Sequence, residues 1–259
     1  MSESVPTYTA AQVRAAERPL LEAGVPLMQR AAAALAEVVR DELARIEPSA
    51  VTPPHRTLEP VVRHSPDAPL PRVLVLAGSG DNGGDALYAA ARLAADGDAD
   101  VDALLVADRF HQDALTSAIG AGVRRIDLAE AGDVGVHYAL VLDGILGIGA
   151  SADPALRGSA REAVTDLLSR ARAEGRMPRI VAVDIPSGLH PDTGEADDAV
   201  LPASVTVTFG AVKAGLTAGR GPELAGDLVL VDLGLGDGLA TSEPAGEASV
   251  TRIVEAREP

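Results

Sequence analysis

Residues 72–85 read RVLVLAGSGDNGGD, and this stretch decides the fold. Arg72–Ala77 is a short aliphatic run without the alternation of a half-buried strand, so it fits a strand covered on both faces. It ends on Gly78-Ser79-Gly80, and a helix-forming run, DALYAAARLAA, starts at Asp85. A buried strand that turns through glycines into a helix is the first half of a β-α-β unit. The same alternation continues outward. Strands are expected at 101–107, 123–126, 138–143, 179–184, 203–210 and 227–233, with helices at 111–121 and 155–173. This order predicts right-handed crossovers and an α/β fold, a mostly parallel sheet with helices on both faces. No long helix separates the last two strands, which leaves an antiparallel or short-crossover edge open.

Two helices are expected before this unit. Thr9 is placed to cap a helix that begins at Ala10 and stops near Gly24, and Pro19 should bend or end it. A second begins near Pro26 and carries Leu27, Ala31, Leu35, Val38, Val39 and Leu43 on one face. Seven of the 18 prolines then fall between Glu47 and Arg72, which forbids regular helix or central strand and predicts an extended insertion at about 47–71. The polar tail after about Gly236 is expected to fray. The chain reads as one domain over 1–259.

The charge balance, 22 basic against 38 acidic residues, gives −16 and excludes a basic footprint for nucleic acid. With no cysteine there is no disulfide framework, thiolate metal site or cysteine nucleophile. No signal pattern and no apolar run of ~18–20 residues is present, so neither a nucleic-acid nor a membrane partner is expected and a cytoplasmic location is the default. One lysine, Lys213, stands among 21 arginines.

In an open parallel sheet, ligands bind beyond the carboxyl ends of the strands. Four loops there carry unusual residues. The first, Gly78 to Asp85, contains G-x-G-x-x-G at Gly78, Gly80 and Gly83. Glycines let backbone approach a ligand, and a helix start attracts phosphate; the alternative is a tight turn with no ligand. Asp81 and Asp85 are unexpected beside phosphate and suggest a cation or helix capping. The second ends a strand at Asp143 and continues through Gly144, Gly147, Ile148 and Gly149; this Asp holds a ligand or caps the next turn. The third releases Asp184 where Pro186 fixes the chain and Gly188 turns it, which suits an acid–base carboxylate. The fourth brings Lys213 to a strand end, either as a cation facing an anion or as a surface lysine. The five histidines show no metal-ligand spacing.

In this order, SGDNGGDA, LDGILGIG, VDIPSGL with DTG, and TFGAVKAGL followed by GDLVLVDLGL resemble the NAD(P)H-hydrate epimerase family, the YjeF N-terminal domain. The resemblance covers most of the chain. It implies a three-layer α-β-α, Rossmann-like sandwich with two N-terminal helices, often a homodimer. It implies an isomerase that interconverts the R and S epimers of hydrated NADH and NADPH (NADHX and NADPHX), which carry a hydroxyl at C6 of the nicotinamide. By position, Asn82, Asp143 and Ser187 would carry a potassium ion, an oxygen set that suits a hard cation. Asp81, Asn82, Gly83, Gly84 and Asp85, with Gly147, Ile148, Gly149, Ala150, Ser151, Ala152 and Asp153, would hold the pyrophosphate and ribose. Asp184 would meet the nicotinamide as the catalytic acid–base group.

The sequence departs from the family pattern at Asp81, where an Asn is common, at Ala86, where a Gly is usual, and at Val212 and Ala214, where relatives tend to have prolines. The sequence stops at Pro259 without the dehydratase domain that many relatives carry, so the expectation is either a free-standing epimerase that pairs with a separate NAD(P)HX dehydratase or a piece of a longer, bifunctional protein. Two other readings stand beside this one: a catalytically inactive nucleotide-binding or dimerisation module of the same fold, and an NAD-dependent oxidoreductase using Asp108 for the ribose.

Overall fold

The computed structural model of the chain describes residues 2–46, 69–132, 137–149 and 153–256. Residues 47–68, most of the expected insertion, lie outside them. The chain opens with β1 (Glu3–Tyr8), α1 (Ala10–Glu22) and α2 (Leu27–Arg45). The β-α series follows: β2 (Arg72–Ala77), α3 (Asp81–Ala95), β3 (Asp100–Leu105), α4 (Gln112–Gly120), β4 (Arg124–Ile126), α5 (Leu128–Ala131) and β5 (Leu140–Gly144). It continues with α6 (Gly158–Glu174), β6 (Arg179–Val183), β7 (Val205–Phe209), β8 (Val212–Lys213), α7 (Gly221–Leu224) and β9 (Asp227–Asp232). The last elements are α8 (Gly236–Leu239), β10 (Gly246–Val250) and β11 (Arg252–Glu255).

Eight strands form one sheet in the order β11-β9-β7-β6-β5-β2-β3-β4, and each neighbouring pair is parallel. The connection left open between the last two expected strands is a short crossover: a 3₁₀ turn at Ala214–Leu216 and the four-residue α7 carry β7 to a parallel β9. Alternate residues of β2 face opposite layers. Val73, Val75 and Ala77 pack with Leu35 of α2, Leu87 and Leu93 of α3 and Leu115 of α4. Leu74 and Leu76 pack with Ala163 and Val164 of α6 and Ile126. Burying each such Leu or Val contributes roughly 1.5–3 kcal/mol. Both faces are covered, which is why the strand showed no alternation.

The structure corrects several expectations. Thr9 does cap α1, in a reciprocal box with Gln12, but Pro19 does not end the helix, which runs three residues further. α3 begins at Asp81 rather than Asp85. Its glycines are poor helix formers, yet a Cβ on Gly83 would lie 2.3 Å from the Gly78 carbonyl oxygen, so close packing decides there. The tail from Gly236 to Ala256, expected to fray, is ordered into regular elements, while 257–259 lie outside the described residues. It forms α8 and two strands, β10 antiparallel to β1 and β11 parallel to β9. β1, which the sequence pattern did not predict, is the middle strand of a small sheet, β10-β1-β8. Its partners in β10 lie more than two hundred residues away, and ESVPTY carries a proline and little apolar alternation.

Candidate active site

The order of connections reverses between β2 and β5. From β2 the chain moves on to β3 and β4, and from β5 it moves the other way through β6, β7 and β9. A crevice opens where the strand ends diverge in this way. Its floor is held by backbone: Gly78 N–H donates to the Gly144 carbonyl at 3.1 Å. A Cβ on Gly78 would stand 1.9 Å from the Ile145 carbonyl oxygen. Two glycines of the G-x-G-x-x-G, Gly78 and Gly83, thus permit close backbone approach, while Gly80 has open space and precedes the first turn of α3. The resulting cleft, about 350 Å³, is lined by Glu17, Ser79, Gly80, Asp81, Asn82, Asp85, residues 145–149, Asp184 and Phe209.

Asp184 sits at the end of β6 with φ of 67°, the one non-glycine residue in the left-handed region among the described residues. Such a conformation costs of order 1–3 kcal/mol and persists where surrounding contacts impose it. Here they do. Asp184 N–H donates to the Val207 carbonyl at 2.7 Å. Oδ1 accepts from the Phe209 N–H at 3.1 Å, from the Thr208 hydroxyl at 3.4 Å and from Lys213 Nζ. With these bonds on Oδ1, Oδ2 is the oxygen left for the cleft. Lys213 is 1% exposed, and its ammonium also donates to the Phe209 carbonyl at 2.8 Å and the Thr208 hydroxyl at 3.3 Å. The single lysine of the chain is therefore no surface residue. It pairs with Asp184 as a buried ion pair, which is expensive to break.

Asp143, Ser187 and Asn82 converge behind this pair. Asp143 is buried at the end of β5 and accepts from the Ser187 N–H at 2.9 Å and the Ile145 N–H at 3.4 Å. Burial raises its pKa, and the hydrogen bonds from Ser187 and Ile145 work against that rise. The Ser187 hydroxyl accepts from Leu146 N–H at 2.9 Å. The Asn82 amide donates to the Val183 and Leu146 carbonyls, and its Oδ1 fills the space that a Cβ on Gly147 would take, 2.1 Å away. A buried carboxylate held only by neutral donors, with the Ser187 hydroxyl and the Asn82 amide both gathered on the Leu146 backbone beside it, offers oxygen ligands that fit a hard monovalent or divalent cation. Among the described residues no three His, Cys, Asp or Glu side chains gather for a metal, so a transition-metal centre has no ligand set there.

The cleft wall is acidic. Asp85 is buried on the first turns of α3, and its Oδ1 has no hydrogen-bond partner. Burial pushes its carboxyl well above the usual carboxylate range, Asp184, Asp81 and Glu17 push further, and Lys213 opposes them. Glu17 is also raised, first by burial and then by Asp184 and Asp81, against Lys213 and Arg14. Asp81 is exposed in the first turn of α3, where a negative charge faces the positive end of the helix dipole.

Of the residues expected from sequence, Asp81, Asn82, Asp85, Gly147, Ile148, Gly149 and Asp184 line this one cleft. Gly83 and Gly84 lie under it: Gly84 packs on Met28 and His111. Asp153 is exposed, bonds to Arg157 and the Ala155 N–H, and lines an adjacent cavity of about 260 Å³ that shares Ser79, Ile145 and Leu146. Ala150, Ser151 and Ala152 lie outside the described residues. Ala86 is fully buried, and a Cβ on Gly144 would stand 2.6 Å from its own, so its methyl packs α3 on β5.

Sequence reasoning missed Glu17, Arg14 and Phe209. Glu17 follows the buried Val13 by four residues, so its place on the inner face of α1 was the available signal. Arg14 donates to the Ile148 carbonyl at 2.6 Å and ties the second loop to α1. The start of α1 is tied in turn to the DTG turn, Ala10 N–H donating to Asp192 at 2.7 Å.

The model of the family described as YjeF-related protein N-terminus matches residues 24–215. The chain belongs to this family. The chain is 51% identical over 254 residues to a protein of Microbacterium testaceum named NAD(P)H-hydrate epimerase, covering 98% of this chain and 88% of that one. It is 47% identical to a Clavibacter michiganensis protein of the same name, over 88% of this chain and 90% of that one. The bifunctional NAD(P)H-hydrate repair enzyme Nnr of Mycobacterium leprae is 38% identical over 88% of this chain, which spans 41% of that longer protein. Crystalline yeast ynu0 has the same fold, with a TM-score of 0.64 at 17% identity over 85% of this chain and 86% of its own. The YjeF N-terminal fold thus carries the switch-point cleft of this chain. Among the described residues, no helix is long and apolar enough to cross a membrane.

Proposed function

We infer that this chain is an NAD(P)H-hydrate epimerase, an isomerase that inverts the hydroxyl-bearing carbon of hydrated NADH or NADPH. The observation that carries the reading is Asp184: a strained, buried carboxylate at the switch point, paired with the only lysine and presenting its second oxygen to the cleft. An inert module of this fold has no use for that arrangement. The substrate's pyrophosphate and ribose lie along the start of α3, from Asn82 onward, and the loop from Gly147 to Asp153, with Asp85 at the end of that run nearest Asp184, where the ribose gives way to the nicotinamide. The nicotinamide end faces Asp184, which handles the proton near C6.

A potassium ion held by Asn82, Asp143 and Ser187 belongs to the same proposal. When bound, it supplies positive charge beside an anionic substrate in a cleft walled by carboxylates. Arg14 holds the Gly147 loop against α1 and so shapes the mouth. A homodimer, a cytoplasmic location and a functional partnership with a separate dehydratase complete the proposal; the bifunctional relatives support that last pairing.

Chromatography of purified R- and S-NADHX tests the reading. In potassium buffer the protein brings either epimer to the same mixture. Asp184→Asn lowers the rate by about 10²–10⁴. Epimers that persist unchanged with excess wild-type protein overturn the assignment.

A further inference from the structure

The Asp184 carboxyl has a cation, a backbone N–H and a hydroxyl on it, whereas Asp85 Oδ1, in the same cleft, has no partner. Its residue is 5% exposed, one carboxyl oxygen is wholly buried without a partner, and the residue still lines the cavity. A buried acceptor without a donor is rare, because leaving it unpaired costs free energy. A carboxylic acid in that place needs no cation and has a proton to donate. The groups that face it come from four elements: Glu17 on α1, Asp81 on α3 itself, Asp184 after β6 and Lys213 on β8. Three of the four are acids, and the lysine is already committed to Asp184.

We propose that Asp85 is the proton donor of the reaction, the acid that works opposite the Asp184 base. This rests on the epimerase reading and adds a second catalytic residue to it. Two carboxyls in one cleft, one ion-paired and one unpaired, are the usual arrangement for dividing acid from base. C6 of the hydrate bears a hydroxyl beside the ring nitrogen. The Asp85 proton passes to the hydroxyl oxygen. The C6–O bond breaks, its electron pair leaves with the oxygen as water, and the nitrogen lone pair forms the C6–N double bond. Water then adds to C6 from the opposite face, the nitrogen regains its pair, and the surplus proton goes to the Asp184 carboxylate. Exchange with solvent returns both carboxyls to their starting states. Atoms and charge balance, with water as the only co-reactant.

The test is Asp85→Asn in the full chain, followed by epimer chromatography across pH. Asparagine keeps the shape but holds no proton to give. The expected result is a kcat lowered about 100-fold or more, with KM changed by less than about threefold. Wild-type kcat falls on the alkaline side as one proton is lost, and that limb is missing from the variant's residual activity. A variant within about threefold of wild type, a loss confined to KM, or an alkaline limb that survives in Asp85→Asn overturns the proposal. Should that variant fail to fold, Asp85→Glu decides: a side chain that still carries a proton keeps the alkaline fall in kcat if the proposal holds, and a kcat that does not fall with alkaline pH in wild type and Asp85→Glu overturns it. An inactive wild type overturns the epimerase reading and this proposal with it, while an active wild type beside an active variant overturns the proposal alone.

Discussion

Asp102 and Asp85 are both buried carboxyls on elements next to β2, and they have been treated in opposite ways. Asp102, on β3, is 3% exposed. It accepts from Arg72 at 2.6 Å, from Arg124 at 2.9 and 3.2 Å and from the Tyr138 hydroxyl at 2.9 Å. Burial alone would raise its pKa, but the bonds from Arg124, Arg72 and Tyr138 outweigh burial and lower it. At Asp85 burial prevails. The sheet can satisfy a buried acid, here with two arginines whose mutual repulsion the shared carboxylate offsets. It leaves one unsatisfied at the switch-point cleft. The contrast separates architecture from chemistry: a fully bonded buried charge holds strands in register, and an orphaned one is kept at a cost to stability because it acts on something else.

The sharpest way to break this contrast is to orphan the wrong acid. Lys213→Met leaves Asp184 buried without its cation. The expected loss is about 3–5 kcal/mol in denaturant unfolding. The double variant Lys213→Met, Asp184→Asn removes both charges while keeping an acceptor for the Phe209 N–H and a residue that tolerates the left-handed turn, and should recover at least half of that loss while remaining inactive. If the single variant is as stable as wild type, the pair is not what holds the left-handed turn at Asp184.

Asp102→Ala comes next. It strips three donors of their shared acceptor, but Arg124 and Arg72 are partly exposed and water replaces some of what is lost. A loss of roughly 1–3 kcal/mol is expected, read as a lower Tm, with kcat and KM for the hydrate unchanged. Changed kinetics would join the two clusters and erase the distinction drawn between them.

How much of this could be read from the sequence follows the same line. The sheet was legible because residues such as Val73 and Leu74 must be apolar on both faces, and that pattern is local. The cleft was legible because Gly78, Asp143 and Asp184 each end a strand, and strand ends in a parallel sheet share one edge. Lys213 could be placed in a loop but not paired. Its partner lies 29 residues earlier in the chain, and only the meeting of β6, β7 and β8 brings the two together. β1 and β10 were not legible for a stronger version of that reason: neither has a pattern of its own, and each is a strand only because the other is there. Nor could the sequence say which acids would be satisfied. Asp85 and Asp102 are the same residue type in similar aliphatic surroundings, and the difference lies in whether an arginine on a neighbouring strand comes within reach.

The smallest effect, and the one that compares the two acids most directly, is the pH dependence of stability. The folded pKa of Asp85 lies above its ordinary value of 3.8. The unfolded chain therefore releases this proton first as pH rises. The contribution of Asp85 to stability is fully present below the unfolded pKa and is lost as pH climbs through the folded one, with a slope of at most about 1.4 kcal/mol per pH unit. Asp102 has the opposite sign: its folded pKa is lowered, so its contribution is present above the ordinary carboxylate range and is lost as pH falls through the folded value. Melting wild type, Asp85→Asn and Asp102→Ala across this range separates the two. Relative to wild type, Asp85→Asn should gain stability as pH rises from about 4. Asp102→Ala should close its deficit as pH falls. If the Asp85→Asn difference is constant with pH, Asp85 carries the same charge folded and unfolded, and its missing partner is supplied by something other than its own proton.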